Sequence, residues 1–149
     1  MSSRIFTAAI MLALMAGVAP LALAQTGKEK TGKNGTASEV ARGKYLVESV
    51  AMCGQCHTPR DSNGNLDRSR WLQGSPVPYL SATQDPNWPI NAPRIGGTPP
   101  ASDADMVKLL TSGVWTTGKQ LRQPMPQFRM ERGDAEAVVA YLKTLTPKQ

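Results

Sequence analysis

Two thiols three positions apart, with an imidazole directly after the second, stand at Cys53, Cys56 and His57. This is the spacing that attaches a c-type haem. Each thiol adds across one vinyl group of the porphyrin. Two cysteines about one helical turn apart reach both vinyls from a single side of the ring. The following residue then lies under the iron, where its imidazole serves as the proximal ligand. His57 is the only histidine of the chain, and Cys53 and Cys56 are its only cysteines, so the motif uses all of both residue types.

Other uses of a Cys-x-x-Cys pair fit less well. A thioredoxin-like redox pair sits in a βαβ context, and no strand pattern flanks these residues. A zinc ribbon needs four ligands, and no second pair exists. A disulfide closed across two residues would be strained.

A haem held only by His57 leaves one face of the iron open. With no second histidine, the candidates for that face are methionine, lysine or nothing. Of the seven methionines, those outside the N-terminal segment are Met52, Met106, Met125 and Met130. Met52 abuts Cys53 on the proximal side. Met106 falls in an apolar helical stripe and reads as core filler. Met130 lies in a suitable loop without local rigidity. Met125 stands between Pro124 and Pro126, which deny helix and hold a short segment stiffly. Met125 is therefore the leading candidate, with Met130 and an open or lysine-bound iron as the alternatives.

The elements that position these residues are helical. Ser38 is the candidate N-cap of a first helix running to about Met52, with Val40, Gly43, Val47 and Val50 on one face. A mid-helix glycine costs about 1 kcal/mol relative to alanine, and close approach of another helix over Gly43 is a use for that cost. Residues 71–100 hold many prolines and no sustained period. They read as a long loop around the cofactor edge, anchored by Trp71, Leu72, Tyr79, Leu80, Trp88 and Ile95. Ser102 or Asp103 caps a short helix that Gly113 stops. A last helix begins near Asp134, with Val138, Tyr141, Leu142 and Leu145 at helical spacing. The expected class is all-α, few helices with long loops around one covalently bound haem. The first and last helices are expected to cross at Gly43 and Tyr141. His57 is expected to bond a backbone carbonyl near Pro76 or Pro78.

Residues 1–24 read as a signal peptide: Arg4, an apolar run, and an Ala22-Leu23-Ala24 cleavage site. An uncleaved anchor is the alternative. Residues 25–37 hold Gly, Lys, Thr and Asn with no large aliphatic side chain, the composition of a flexible linker. Residues 38–149 form the folded module. The formal charge of +6 divides unevenly. Arg4 leaves with the leader and the linker keeps a surplus of two, so the module carries about +3, which gives no case for nucleic acid. Lys119, Arg122, Arg129 and Arg132 are opposed in their stretch only by Glu131. They read either as a positive rim for an acidic partner or as solvated surface. Arg60, Arg94, Tyr79, Trp88 and Trp115 are the further candidates to meet haem propionates.

Ala41-Arg42-Gly43-Lys44-Tyr45-Leu46 precedes the Cys53/Cys56/His57-Thr58 motif. Ala92-Pro93 and Ile95, Asp105-Met106-Val107, Gly113-Val114, Pro124-Met125-Pro126 and Ala137 to Leu142 follow it. Over Ser38 to Leu145 this set resembles a class I c-type cytochrome, most closely the cytochrome domains that accompany periplasmic dehydrogenases. The resemblance implies helices around haem c, with His57 and Met125 as axial ligands of the iron. Its implied role is a periplasmic, non-enzymatic carrier of single electrons, membrane-docked or free, between redox proteins such as a dehydrogenase and a terminal oxidase. Such domains often occur in tandem, whereas one motif is present here, so electrons are expected to pass to another protein. A haem-based gas sensor with a labile sixth ligand is the alternative function.

Overall fold

The computed structural model describes residues 35–146; the expected signal peptide over 1–24 and nearly all of the expected linker lie outside the described residues. Among the described residues there are four α-helices: α1 (Ala37–Tyr45), α2 (Gly54–His57), α3 (Asp103–Ser112) and α4 (Arg132–Thr144). Two strands of two residues each, β1 (Ser75–Pro76) and β2 (Asn91–Ala92), are the only strands among them, with isolated bridges at Arg60–Leu66 and Val114–Gln120. The architecture is the helical one the sequence leads to. No helix of the described residues is long and apolar enough to cross a membrane.

The first helix starts earlier than Ser38. Thr36 is its N-cap, accepting from the Glu39 N–H at 3.2 Å, while the Glu39 carboxylate accepts from the Thr36 N–H at 3.1 Å. This reciprocal box needs a glutamate three residues after the cap, and Glu39 satisfies that for Thr36 but not for Ser38. The helix also does not run on to Met52 as a regular α-helix. From Leu46 to Val50 it widens to a π-helical turn, with the Ala51 N–H bonded to the Leu46 carbonyl at 2.7 Å and the Cys53 N–H to that of Val47 at 3.0 Å. The insertion leaves Met52 at φ +49°, and it re-aims the chain into Cys53. Turns of this kind recur at functional sites.

Helices α1 and α4 cross where the sequence places the crossing. A Cβ on Gly43 would overlap the Ala137 carbonyl and come within 2.8 Å of the Tyr141 Cβ. Only a glycine lets the two backbones approach so closely. Arg42 clasps Asp134 across the same joint with two bonds of 2.9 Å, and this guanidinium holds the half-buried Asp134 carboxyl below its usual range. Helix α3 has its expected ends: Ser102 accepts from the Asp105 N–H at 3.2 Å, and Gly113 closes it at φ +71°. Helix α4 begins at Arg132, two residues before Asp134, with Glu131 at the N-cap and no side-chain cap.

The core joins these helices to the long loop. Leu46 and Val47 from the π turn pack with Met106, Val107 and Leu110 of α3 and with Val138, Val139, Tyr141 and Leu142 of α4. Leu72 and Ile95 enter from the loop. That loop is less irregular than its prolines suggest. Ser75 pairs with Ala92 and Pro76 with Asn91 in antiparallel register, which pins the base of the 75–92 excursion. Two-residue strands are too short to leave a period in the sequence.

Candidate haem site

Helix α2 is the motif itself. Cys53 is its N-cap, and the His57 and Thr58 N–H groups bond to the carbonyls of Cys53 and Gly54 at 3.0 and 3.1 Å. One helical turn thus separates the two thiols, and positions three apart share a face. Neither thiol is in a disulfide, and both residues are half-buried. Burial pushes the Cys53 thiol up to about 11. It raises Cys56 too, with nearby Arg60 pulling the other way.

His57 is buried, and its Nδ1 lies 2.7 Å from the Pro93 carbonyl. A carbonyl only accepts, so Nδ1 carries the proton and Nε2 keeps the lone pair a metal needs. Burial lowers the pKa of the ring below its ordinary value, and the bond to Pro93 offsets part of this. The neutral imidazole is the ligand form. The carbonyl is not the one near Pro76 or Pro78 that the sequence suggests. Pairing of β1 with β2 brings Pro93 under the ring, while Ser75 is spent elsewhere, its hydroxyl donating to the Cys56 carbonyl at 2.9 Å.

Next to the motif lies a cleft enclosing about 830 Å³ including its open mouth. Cys56 and His57 line it from α2, and Met125 lines it from the loop before α4. The rest is chiefly apolar: Val77, Pro89, Pro93, Ile95, Pro100, Met106, Leu109, Leu121 and Pro124. A second cleft, lined by Cys53 and Met52 with Tyr79, Pro126 and Phe128, shares Cys56, Pro124 and Met125 with the first. The two clefts thus adjoin at Cys56, Pro124 and Met125, with Cys53 lining the smaller one.

Of the four methionines, Met125 alone lines both clefts. Met106 is buried in the core, as the sequence leads one to expect, and its surface also lines the larger one. Met130 packs on the core, its N–H bonded to the Leu110 carbonyl at 3.1 Å, and it lines neither. Met52 is exposed on the rim of the smaller cleft.

Of the four basic residues Lys119, Arg122, Arg129 and Arg132, three have different partners. Arg132 pairs with Glu136 at 3.0 Å on the surface of α4. Arg129 turns back on its own loop, donating to the Gln127 and Phe128 carbonyls at 3.2 and 2.7 Å. Of the four, Arg122 alone lines the large cleft. Among the candidate propionate partners, Trp115 lines the large cleft and Tyr79 the small one. Arg60 is taken up by the Gly64 carbonyl at 2.8 Å and the Gln55 amide at 3.2 Å. Trp88 donates to the Tyr79 carbonyl at 2.9 Å.

The loop anchors Trp71 and Leu72 and the motif residue Thr58 support the site through contacts that only the folded chain shows. Thr58 is fully buried, and its hydroxyl accepts from the Leu72 N–H at 3.0 Å. Leu72 itself is at φ +58°, a costly conformation for a branched side chain. Its carbonyl receives the Ile95 and Gly96 N–H groups at 3.0 Å each. Trp71 covers Gly54 from outside, with the Arg68 guanidinium 4.0 Å above its ring. These contacts fasten the motif to the loop that carries Pro93.

The donor set suits an iron porphyrin. It offers two thiols for the vinyls, one neutral imidazole, a thioether in the same cleft, and apolar walls for a large flat ring. Comparison with known proteins agrees. The cytochrome c family model matches residues 40–146, and the chain belongs to that family. It is accordingly an electron-transfer cytochrome that binds haem. A "Diheme cytochrome c-type" protein of Cereibacter sphaeroides is 36% identical over 115 residues, spanning 72% of this chain and 36% of that protein. The "Fructose dehydrogenase cytochrome subunit" of Gluconobacter japonicus is 33% identical over 113 residues, spanning 72% of this chain and 22% of that protein. This chain therefore matches well under half the length of either relative.

Proposed function

We propose that the chain is a periplasmic monohaem cytochrome that passes single electrons between redox proteins and performs no substrate chemistry of its own. One observation carries the reading: His57 and Met125, far apart in sequence, line one apolar cleft with Cys56, and Cys53 borders its continuation. Bound there, the iron porphyrin supplies reversible one-electron exchange. Cys53 and Cys56 hold the ring through thioethers. His57 offers Nε2 while Pro93 fixes its tilt and tautomer, and Met125 offers its sulfur. Apolar walls exclude water and disfavour the extra positive charge of the ferric state, which raises the potential. The single Cys-x-x-Cys-His motif supports one haem, and the pattern of residues 1–24 supports export. A relative named as a dehydrogenase subunit supports a dehydrogenase as electron donor.

The test is expression of the full chain in a host equipped for cytochrome maturation. The product should carry one haem that resists acid–acetone extraction, should have no free thiol, and should be slow to bind carbon monoxide when reduced. A colourless product with both thiols free would end the reading. Immediate carbon monoxide binding would replace the carrier with the gas-binding alternative.

A further inference from the structure

We infer that Arg122 anchors a haem propionate and is not a cation presented to a partner protein. The inference rests on the haem reading above. Arg122 is an exposed residue that also lines the large cleft, which places it at the mouth. The cleft's titratable lining residues are Cys56, His57 and Arg122, with no carboxylate among them. Arg122 is therefore the one fixed charge on an otherwise apolar wall.

Its guanidinium is held in place by a neutral group. One terminal N–H donates to the Asn87 carbonyl at 2.9 Å. Asn87 is itself tied down, its N–H bonded to Asp85 Oδ1 at 2.8 Å, and the Trp88 N–H bonds to the Asp85 carbonyl at 3.0 Å. Arg122 takes part in none of the salt bridges among the described residues. A carbonyl cancels no charge and engages one of five donors. A loop-to-loop bond thus holds an uncompensated cation, with donors to spare, beside the apolar slot.

An occupant that matches must be flat and apolar in its body and anionic at one edge. An iron porphyrin has that shape, with two carboxylates on one side. Guanidinium binds carboxylate through paired N–H bonds. Asn91 and Trp115 line the same cleft and bring further N–H donors for the second oxygen or the second propionate. The charged groups nearest in sequence are Lys119 on the same loop and Asp85 on the facing one. Neither lines the cleft.

The experiment compares matured wild type, R122Q and R122K by spectroelectrochemical titration across a pH series, with haem content measured first. Loss of the cation leaves the ionised propionate uncompensated. In R122Q the apparent pKa governing the potential should rise by about one to three pH units. Above that pKa the midpoint should fall, because an unbalanced carboxylate favours ferric iron. R122K, a point charge in place of a fork, should shift the same way by less, and it carries the comparison if R122Q matures poorly. A potential–pH curve that superimposes on wild type at equal haem content overturns the assignment. So does a change confined to the salt dependence of electron exchange with another protein. A wild type without haem would instead mark failure of the haem reading itself.

Discussion

The ring of Trp71 rests directly on Gly54, inside the pair of cysteines: a Cβ built on Gly54 would overlap the ring. The first variable position of the Cys-x-x-Cys-His motif is therefore not free in this chain. The Arg68 guanidinium also lies against this ring, 4.0 Å from its centroid. Gly54→Ala should displace Trp71 and destabilise the protein by about 1–3 kcal/mol, the usual cost of overpacking. Adding Trp71→Leu should recover part of that loss by making room. Denaturant titration of the two single variants and the double variant measures the coupling. Strict additivity would refute the contact.

Gly43 is under the same constraint at the crossing of α1 and α4, against backbone that has no rotamer to change. Gly43→Ala should cost at least about 1–3 kcal/mol. Gly133, in the first turn of α4, has open space around it. Gly133→Ala should stabilise by up to about 1 kcal/mol, as expected for a helical glycine replaced by alanine. Melting temperatures that move in the same direction in both variants would contradict the geometry.

Met125 and Met106 both line the large cleft but differ in burial. Met106→Ala should cost about 2–5 kcal/mol through the cavity it leaves, with the spectrum of ligated iron retained. Met125→Ala should abolish the far-red sulfur-to-iron charge-transfer band and admit carbon monoxide quickly. Optical spectra of the two ferric variants decide the matter, and a band lost in Met106→Ala alone would reverse the assignment.

Tyr141 donates its hydroxyl to the Glu48 carboxylate at 2.5 Å, joining α4 to the π turn above the haem motif. Burial first, and the Glu48 carboxylate second, push its pKa up from 10.0 to about 12. A phenol whose pKa rises on folding stabilises the protein fully below its unfolded value. That contribution is lost as the pH climbs through the folded value. Wild type should therefore weaken between pH 10 and 12 more steeply than Tyr141→Phe. Parallel denaturation midpoints across that range would show that the hydroxyl contributes nothing of this kind.

Much of the site was legible because its chemistry is local. Two thiols and an imidazole within five residues need only a helical turn to face a porphyrin, and Cys53, Cys56 and His57 take that turn. Gly43 opposite Tyr141 was legible for a similar reason, since a mid-helix glycine departs from what its surroundings would otherwise prefer, and Met125 between its prolines lines the cleft. The ends of α3 followed from Ser102 and Gly113 by capping rules alone.

Other relationships depended on chain segments meeting in space. Nothing in the residues near His57 names Pro93 as its carbonyl partner; that follows from β1 and β2 pairing across a loop with no period to read. The π turn at Leu46–Val50 has no residue code, and only the packed structure reveals that it re-aims Cys53. Lys119, Arg122, Arg129 and Arg132 look alike as a run of charges. Their separate fates, one at the cleft and others bound to their own loop or helix, arise from the bonds each backbone brings within reach. Residue type and spacing determined which chemistry the chain performs. The tertiary structure decided which distant carbonyl and ring meet the motif and which cation lies at the cleft, because hydrogen bonds and van der Waals contacts act over a few ångströms of space whatever the separation along the chain.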